Sequence, residues 1–193
     1  MKSKYIIFIF LIILIIFLII IYNFTESGNN IISKSKENII EKVLETKEYK
    51  SQIKVIVYSN KNQNEYIMEQ YENLIEKKSS VKLLNESGLT MNFENKKLII
   101  SNTKLNLKKV YENYNQITKN YLFLGNFISE VDLDNIKETE KHIILNALEN
   151  NNKYLHKKTL YINRQTNLPE KLIIIDDDQN VKTIIEYIEI ELK

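Results

Sequence analysis

Lys157 to Leu192 reads KKTLYIN-RQTNLPE-KLIIID-DDQN-VKTIIEYIEIEL, and this stretch decides the fold. Three runs rich in β-forming residues are separated by two short clusters of turn-forming residues. Such a pattern predicts an antiparallel meander. Pro169, the only proline in the chain, has no N–H for a ladder, so it belongs at a turn or at the start of a strand.

The side chains of a strand alternate between its two faces, which predicts the residues that lie together in this meander. The apolar sets that share a face are Leu160 with Ile162, Leu172 with Ile174, and Ile184 with Ile188, Ile190 and Leu192.

Further runs upstream also predict strands, at the short spacing that is typical of a large antiparallel sheet. They cover residues 49–59, 65–71, 81–84, 89–93, 98–101 and 142–148. Turn-forming clusters at 85–88 and 94–96 predict hairpins between them. Ser33 is a suitable cap for a helix over 34–47, whose Ile39, Ile40, Val43 and Leu44 form an apolar stripe. The predicted fold class is therefore α+β.

A helical period interrupts this pattern between the two groups of strands. Val110, Tyr114, Ile117, Tyr121, Leu124 and Ile128 follow one another at spacings of four and three. The spacing predicts one amphipathic helix or two short helices in line. This segment either plugs the concave side of the sheet or forms a movable lid with an aromatic face for a ligand or partner.

The amino terminus carries an unbroken apolar run from Tyr5 to Tyr22. At about 1.5 Å per residue such a helix crosses most of a bilayer's hydrocarbon core. Lys2 and Lys4 precede the run, which places the amino terminus in the cytoplasm and the rest outside. We predict an anchor at 1–22, a tether at 23–33 and an extracytoplasmic domain at 34–193. A cleaved signal peptide is the alternative, although the run is long for one.

Composition excludes several functions. The chain has no cysteine, so disulfides, thiol chemistry and lipidation on cysteine are ruled out. It has 27 basic residues, two of them ahead of the apolar run, and 25 acidic residues, so the predicted outer domain is formally neutral. A neutral domain is a poor partner for nucleic acid. No phosphate-binding glycine loop is present, and no cofactor is expected.

The residues that most resemble a catalytic or metal site have simpler interpretations. Asp176–Asp178 suggests a calcium loop, but consecutive carboxylates on an extended chain point apart, which favours a solvated hairpin turn. Glu138 and Glu140 form a possible carboxylate pair with no apolar surroundings to raise a pKa. We therefore expect a protein that is not an enzyme and holds no metal.

The order of these elements resembles the LolA/LolB-like lipoprotein-carrier superfamily, whose members fold as an unclosed barrel around a helical lid. More narrowly, the chain resembles the GerS-type germination lipoproteins of clostridial spore formers. The segments that carry the resemblance are YIMEQY at 66–71, NYLFLGNF at 120–127, TLYIN at 159–163 and NLPEKL at 167–172. The chain departs from that family in having no cysteine for lipidation, and its apolar run offers a different tether.

The resemblance implies a partner protein that docks and activates a zinc-dependent CwlD-type amidase in spore cortex modification and germination. It also implies a place at the cell or forespore membrane. We predict contact surfaces at exposed strand edges and at the helical segment, through Tyr111, Tyr114, Phe123 and Phe127. Exposed edges also permit a homodimer.

Two other functions remain open at this point. The first is a carrier of a lipid or acylated ligand on the concave face, lined by Val55, Val57, Ile67, Ile99 and Ile174. It requires an enclosed apolar cavity of about 300–1,000 Å3. The second, a sensor domain, is weaker because too few residues precede the apolar run to form a cytoplasmic output module.

Overall fold

The computed structural model describes residues 36–59, 62–84, 88–114, 122–148, 157–176 and 178–193. The chain divides into two compact units, Met1–Glu41 and Lys42–Lys193. The predicted anchor and tether lie outside the described residues. Within the described ranges, no helix is both long enough and apolar enough to cross a bilayer.

The described part of the amino-terminal helix, α1, covers residues 36–44 and runs across the boundary between the two units. Ile39, Ile40 and Val43 are buried, as the apolar stripe predicts. The predicted helix is confirmed over these residues.

The second unit contains eleven described strands and one short helix. They are β1 (Glu48–Tyr58), β2 (Gln63–Asn73), β3 (Lys78–Leu83), β4 (Leu89–Glu94), β5 (Lys97–Asn102), β6 (Leu107–Tyr111), α2 (Leu124–Ile128), β7 (Val131–Glu138), β8 (His142–Leu148), β9 (Lys157–Asn163), β10 (Leu168–Ile175) and β11 (Val181–Leu192). One antiparallel sheet holds all the strands in the order β6-β5-β4-β3-β2-β1-β11-β10-β9-β8-β7. The predicted antiparallel sheet and its closing meander are confirmed.

The chain builds this sheet from the centre to one edge and then from the other edge back to the centre. Strands β1 to β6 follow one another outwards, and β7 to β11 return until β11 pairs with β1. The two edge strands are therefore consecutive in sequence. Residues 112–130, which include α2, connect opposite edges of the sheet.

Direct cross-strand neighbours share a face, so the register defines a face that contains Tyr49, Ser51, Ile53 and Val55 of β1. We call it the α2 face, because α2 hydrogen-bonds to it. Its apolar core has side chains with no measurable exposure: Ile53, Leu124, Phe127, Leu145, Leu160, Ile162, Leu172, Ile174 and Ile185. The shared faces predicted for β9 and β10 are confirmed.

The shared face predicted for Ile184, Ile188, Ile190 and Leu192 is confirmed only for Ile190 and Leu192. The pairing of β11 with β1 shifts register between Gln52 and Ile53, so that Tyr187 faces Ile53 and Glu189 faces Gln52. Ile188 is the extra residue and is exposed. The bulge changes which residues of β11 point to the α2 face. Before the bulge these are the odd-numbered Thr183, Ile185 and Tyr187, which are buried, and after it they are the even-numbered Ile190 and Leu192.

The helix predicted across 110–128 is only partly correct. Val110 and Tyr111 belong to strand β6, and the described helix begins at Leu124. The turn before β6 explains the difference, since the Asn102 side-chain oxygen accepts hydrogen bonds from the Lys104 and Leu105 N–H groups. This Asx-type turn reverses the chain, so the following residues pair with β5. Residues 115–121 lie outside the described residues.

The predicted turns of the meander are confirmed. Pro169 is the second residue of β10 and lies next to a register shift in the pairing with β9. Between β10 and β11, the Asp176 side chain accepts the Asn180 N–H at 2.8 Å and pairs with Lys182 at 2.8 Å. The hydrogen bond from Lys182, followed by that from the Asn180 N–H, lowers the pKa of Asp176. The connection is a hairpin, as expected from the sequence, but Asp176 is buried at 8% exposure, so the prediction of a solvated turn is wrong for this residue.

Candidate protein-binding surface

Strand β6 is an edge of the sheet whose five residues are all exposed. It presents apolar side chains to solvent, since Leu107 is 61% and Val110 43% exposed. Leu105, in the turn before the strand, is 65% exposed. We call Lys104–Tyr111 the β6 edge. An exposed edge with apolar side chains is a surface on which another chain can pair.

The hydrogen bonds of β5 show which backbone groups of β6 point away from the sheet. Thr103 N–H donates to Gly88 O, so the odd-numbered residues of β5 bond to β4. The even-numbered residues therefore bond to β6, and their register partners are Leu107, Lys109 and Tyr111. The N–H and C=O groups of Lys108 and Val110 are consequently directed outwards.

The β6 edge is also cationic. It carries Lys104, Lys108 and Lys109 and no acidic residue. Among the described residues these lysines form no ion pair, whereas Lys97 of β5 pairs with Glu112 at 3.1 Å. Lys109 Nζ lies 4.8 Å from the ring centre of Tyr111, a cation–π contact on the α2 face. The edge therefore combines outward backbone groups, apolar side chains and positive charge.

Strand β7, the other edge, is irregular. Asp132 pairs with Asn146 and Lys137 with Ile144, so four residues of β7 lie opposite a single residue of β8. Asp132 stabilises this excursion by accepting hydrogen bonds from Asp134 N–H at 3.0 Å and from the Asn135 side chain at 2.7 Å. Such a bulged, acidic edge offers no regular ladder for a further strand.

Helix α2 is held on the α2 face by polar groups of the first two strands. Leu124 N–H donates to Tyr49 Oη at 2.9 Å, and Gly125 N–H donates to Glu72 Oε2 at 3.0 Å. Gln70 donates to the carbonyl of Leu122 at 3.0 Å. The bonds from Leu124 and Gly125 satisfy the first two N–H groups of a helix that has no capping side chain of its own.

Burial shifts the pKa values of the groups beneath α2. Desolvation raises the pKa of Glu72, and the hydrogen bonds from Gly125 N–H and from Tyr49 offset part of that rise. The pKa of Tyr49 is well above its usual value because of burial, with the nearby Glu72 charge as the next cause. A Cβ at Gly125 would overlap the Leu74 side chain and crowd the Glu72 carboxylate. Glycine at this position therefore permits the close approach of α2.

The other half of the sheet holds α2 through a buried lysine. Lys158 of β9 is 1% exposed and donates to the side-chain oxygen of Asn126 and to Glu130 Oε2, the latter at 2.7 Å. Residue type alone does not single out this lysine, because the residue before it, Lys157, is also a lysine. The alternation with Leu160 and Ile162 was the available signal, since it places Lys158 on the buried face.

The four predicted binding residues occupy two environments. Tyr111 lies on the β6 edge, 37% exposed, and Tyr114 is half-buried, with its ring centre 6.2 Å from that of Phe93. Phe123 and Phe127 are buried, and Phe123 makes an edge-to-face contact with Phe93 at 5.9 Å. Sequence reasoning therefore named one edge residue and missed Leu107, Lys108 and Val110. The binding role of all four residues stays a prediction.

The carrier hypothesis is not supported by the α2 face. Phe123, Leu124 and Phe127 are buried on it and fill part of the space that a ligand would need. Ile67 pairs with Lys54, and the register places Ile67 and Ile99 on the opposite face from Val55. An open groove of about 610 Å3 on the sheet has mostly polar and charged side chains, including Lys50, Glu69, Lys82, Glu189 and Glu191. These are not the walls of an apolar cavity.

The described residues contain no group of three or more histidine, aspartate or glutamate side chains arranged to hold a metal ion. His142 instead contacts Glu170 at 3.2 Å and the ring of Tyr161 edge-to-face at 5.7 Å. Glu138 lies 3.7 Å from Arg164, and Glu140 lies in the turn after β7. The two glutamates therefore do not form a pair on one strand.

In the part of the chain that the structure describes, the fold is thus an antiparallel sheet with α2 packed on one face, a regular exposed edge at β6 and a bulged edge at β7. The chain belongs to the family described as Sporulation protein YdcC-like, whose model matches residues 4–192. The resemblance to proteins of spore formers is thereby confirmed at the level of the family. A comparison with curated proteins found no significant match.

Solved structures with a similar fold include an uncharacterised conserved protein from Thermus thermophilus. The match has a TM-score of 0.50 at 11% identity and covers 82% of this chain and 88% of that one. A chain of the complex between the CwlD amidase and the GerS lipoprotein of Clostridioides difficile matches with a TM-score of 0.49 at 21% identity, covering 83% and 95%. A LolA superfamily protein from Nitrosomonas europaea matches with a TM-score of 0.42 at 10% identity, covering 81% and 93%.

Proposed function

We propose that this chain is a non-enzymatic binding protein of the cell envelope that docks and activates a CwlD-type cell-wall amidase during spore formation. The observation that carries the proposal is the exposed β6 edge, an unpaired strand with Leu107 and Val110 open to solvent. Membership of a sporulation family and the GerS-like segments of the sequence support the choice of partner. The domain would act by stabilising one conformation of the amidase, which is a population shift and not chemistry of its own.

The test uses the full chain, purified in detergent, and a purified CwlD-type amidase from the same organism. We expect a complex in sedimentation velocity and a higher amidase rate on peptidoglycan when the chain is present. No complex and no change in rate at about 10 μM of each protein, a concentration that reveals ordinary specific complexes, would contradict the proposal.

Two exposed leucines provide a matched pair of variants. Leu107 on β6 is 61% exposed and Leu133 on β7 is 51% exposed. If the amidase docks on the β6 edge, Leu107→Asp weakens the complex by about tenfold or more, because a charge replaces an apolar contact at an interface. Leu133→Asp should bind the amidase like the wild type. Equal loss in both variants would place the contact elsewhere.

We propose further that residues 1–22 anchor the chain in the membrane with residues 34–193 on the outer side. The unbroken apolar run and the lysines ahead of it support this orientation. The chain should resist alkaline carbonate extraction of membranes, and externally added protease should degrade the domain in spheroplasts. Release into the soluble fraction by carbonate would favour the cleaved signal peptide.

A further inference from the structure

We propose that the β6 edge binds its partner by strand addition, and that the partner segment is extended and acidic. This inference rests on the proposed function, since it specifies how that partner is held. It also predicts the partner's sequence pattern, which the family and the fold do not supply. The backbone, the side chains and the charges of the edge together define that pattern.

The backbone of the edge provides the hydrogen-bonding groups. The outward N–H and C=O groups of Lys108 and Val110 are two donors and two acceptors at the spacing of an antiparallel ladder. The described pairings of β4, β5 and β6 show no register shift, so nothing twists these groups away from an incoming strand. An extended segment can satisfy all four groups.

The side chains determine what the segment carries. Leu107, Lys109 and Tyr111 project on the α2 face, whereas Lys108 and Val110 project on the opposite face. From its amino terminus onwards, the residues of an antiparallel partner strand therefore lie opposite Tyr111, Val110, Lys109, Lys108 and Leu107. Cross-strand neighbours are favourable when apolar residues face apolar residues and opposite charges face each other. The matching segment has two apolar residues, then two acidic residues, then one apolar residue.

A second copy of this chain does not fit the same edge. In the hydrogen-bonded registers centred on Lys108 or on Lys109, antiparallel pairing of β6 with another β6 brings that lysine opposite its own copy, which is destabilising. Strand β7 has the acidic residues Asp132 and Asp134, but its bulge of four residues against one prevents a continuous ladder. A separate acidic segment remains the better occupant.

An anionic membrane surface would also attract three lysines and an exposed leucine. It would make no use of the outward N–H and C=O groups of Lys108 and Val110, however, which an extended segment would pair. The unpaired ladder therefore favours a strand over a membrane, and the experiment separates the two.

The probe is a fluorescein-labelled peptide with the core Val-Ile-Glu-Asp-Val between threonine residues, titrated with the full chain in detergent micelles. We expect saturable binding that weakens with salt, because exposed charges are screened. A peptide with Lys-Lys in place of Glu-Asp should bind at least about tenfold more weakly, as expected when like charges replace two ion pairs. The double variant Lys108→Glu/Lys109→Glu should reverse that preference.

N-methylation of the peptide tests the ladder directly. The second and fourth core residues face Val110 and Lys108 and exchange hydrogen bonds with them, so N-methylation of both should weaken binding by about tenfold or more. N-methylation of the third core residue, whose N–H points away, is the matched control and should have little effect. If N-methylation of the second and fourth core residues leaves the affinity unchanged, the contact is purely electrostatic and the inference is wrong.

Variants of the chain supply the complementary test. Val110→Pro removes an outward N–H and blocks an incoming strand, so peptide binding should fall by about fivefold or more, whereas Val110→Thr keeps the N–H and should bind normally. The N-methylated peptides keep the inference testable if the proline variant does not fold. Binding of the full chain to anionic vesicles of phosphatidylglycerol but not to the peptide would also overturn it, as would concentration-dependent self-association that Val110→Pro abolishes.

The same variants separate this inference from the proposed function. If the amidase binds the wild type and Val110→Pro equally well, the proposed function stands and strand addition is wrong. If the amidase binds neither while the acidic peptide binds with the expected sensitivity to N-methylation, strand addition stands and the partner is a different protein.

Discussion

The two edges of the sheet differ in regularity, charge and attachment. β6 is a short, regular strand with two outward-facing residues and a cationic character. β7 is bulged and acidic at its start, and the Asp132 side chain accepts the backbone N–H of Asp134 within the bulge. Natural sheets commonly protect exposed edges by such bulges. β6 has no bulge although the other edge has one, so β6 is the candidate edge for binding another chain.

The residues that precede the two edges differ as well. β7 follows directly after α2, which buried polar groups of β1, β2 and β9 hold in place. β6 follows an exposed turn and has no described element packed over it. The β7 edge is therefore stabilised by the core through α2, whereas the β6 edge is not. We expect substitutions near α2 to lower the free energy of unfolding much more than substitutions on β6.

The largest effect is expected for Lys158→Met. The substitution keeps the volume of the side chain but leaves Glu130 and Asn126 without their buried cation. Removal of one partner of a buried ion pair typically costs about 3–5 kcal/mol of the free energy of unfolding. Urea unfolding of the full chain in detergent, followed by circular dichroism, measures the loss.

The control for this prediction is Lys157→Met on the preceding residue of β9. Lys157 projects on the other face of the sheet and is only half-buried. Its replacement should change the free energy of unfolding by no more than about 0.5 kcal/mol. If both variants lose the same stability, the buried contacts of Lys158 with Asn126 and Glu130 do not stabilise α2 and the residues that lead into β7.

Two buried tyrosines give the next largest effect. Tyr49 accepts the Leu124 N–H, whereas Tyr187 Oη is buried and has no hydrogen-bond partner among the described residues. Tyr49→Phe leaves a buried N–H of α2 unsatisfied and should cost about 1–3 kcal/mol. Tyr187→Phe removes only an unpaired hydroxyl and should be neutral or slightly stabilising. Thermal unfolding of both variants provides the comparison, and a costly Tyr187→Phe would reveal a partner for that hydroxyl.

A smaller and pH-dependent effect is expected at Glu72. Burial raises the pKa of this carboxyl in the folded protein above its usual 4.5. The folded state then holds a proton that the unfolded state has released, so this group's contribution to stability falls as the pH rises from about 4.5 through the raised pKa. Glu72→Gln keeps an acceptor for Gly125 N–H and removes the titration. The difference in urea midpoint between the two proteins, measured from pH 4 to pH 8, should favour the variant increasingly at higher pH; a constant difference would contradict the prediction.

Sequence patterns predicted the interior of this sheet and missed its edges. Leu160, Leu172 and Ile174 are buried on one face and alternate with half-exposed residues, so the two-residue period is visible in sequence. The five residues of β6 are all exposed, and only two of the eight in β7 combine an apolar side chain with partial burial. β6 has no alternation to detect, and the alternation at the start of β7 stops after the four residues Val131 to Asp134. Val110 instead matched a helical spacing with later residues.

Sequence reasoning also missed the polar groups that hold α2, although the alternation of β9 places Lys158 on the buried face. Glu72 and Lys158 look like ordinary charged strand residues, and their burial depends on where α2 lies after the chain has passed from one edge of the sheet to the other. That position follows from the strand order, which local patterns do not encode. The bulge at Ile188 was hidden for a similar reason, because it is defined only by the pairing with β1.

The smallest effect on stability is expected on the β6 edge. Val110→Pro removes an N–H that points to solvent, so it should cost no more than about 1 kcal/mol, as proline is tolerated at such edge positions. Lys109→Pro removes an N–H that bonds to Ile100 and should cost more, about 1–3 kcal/mol, because the Ile100 carbonyl loses its partner. Hydrogen exchange provides an independent measurement, because the amides of Lys108 and Val110 should exchange faster than those of Lys109 and Tyr111. Equal protection along the strand, or an equal loss of stability for the two proline variants, would contradict the assignment of Lys108 and Val110 as outward-facing. The regular free edge that distinguishes β6 from β7 would then also be wrong.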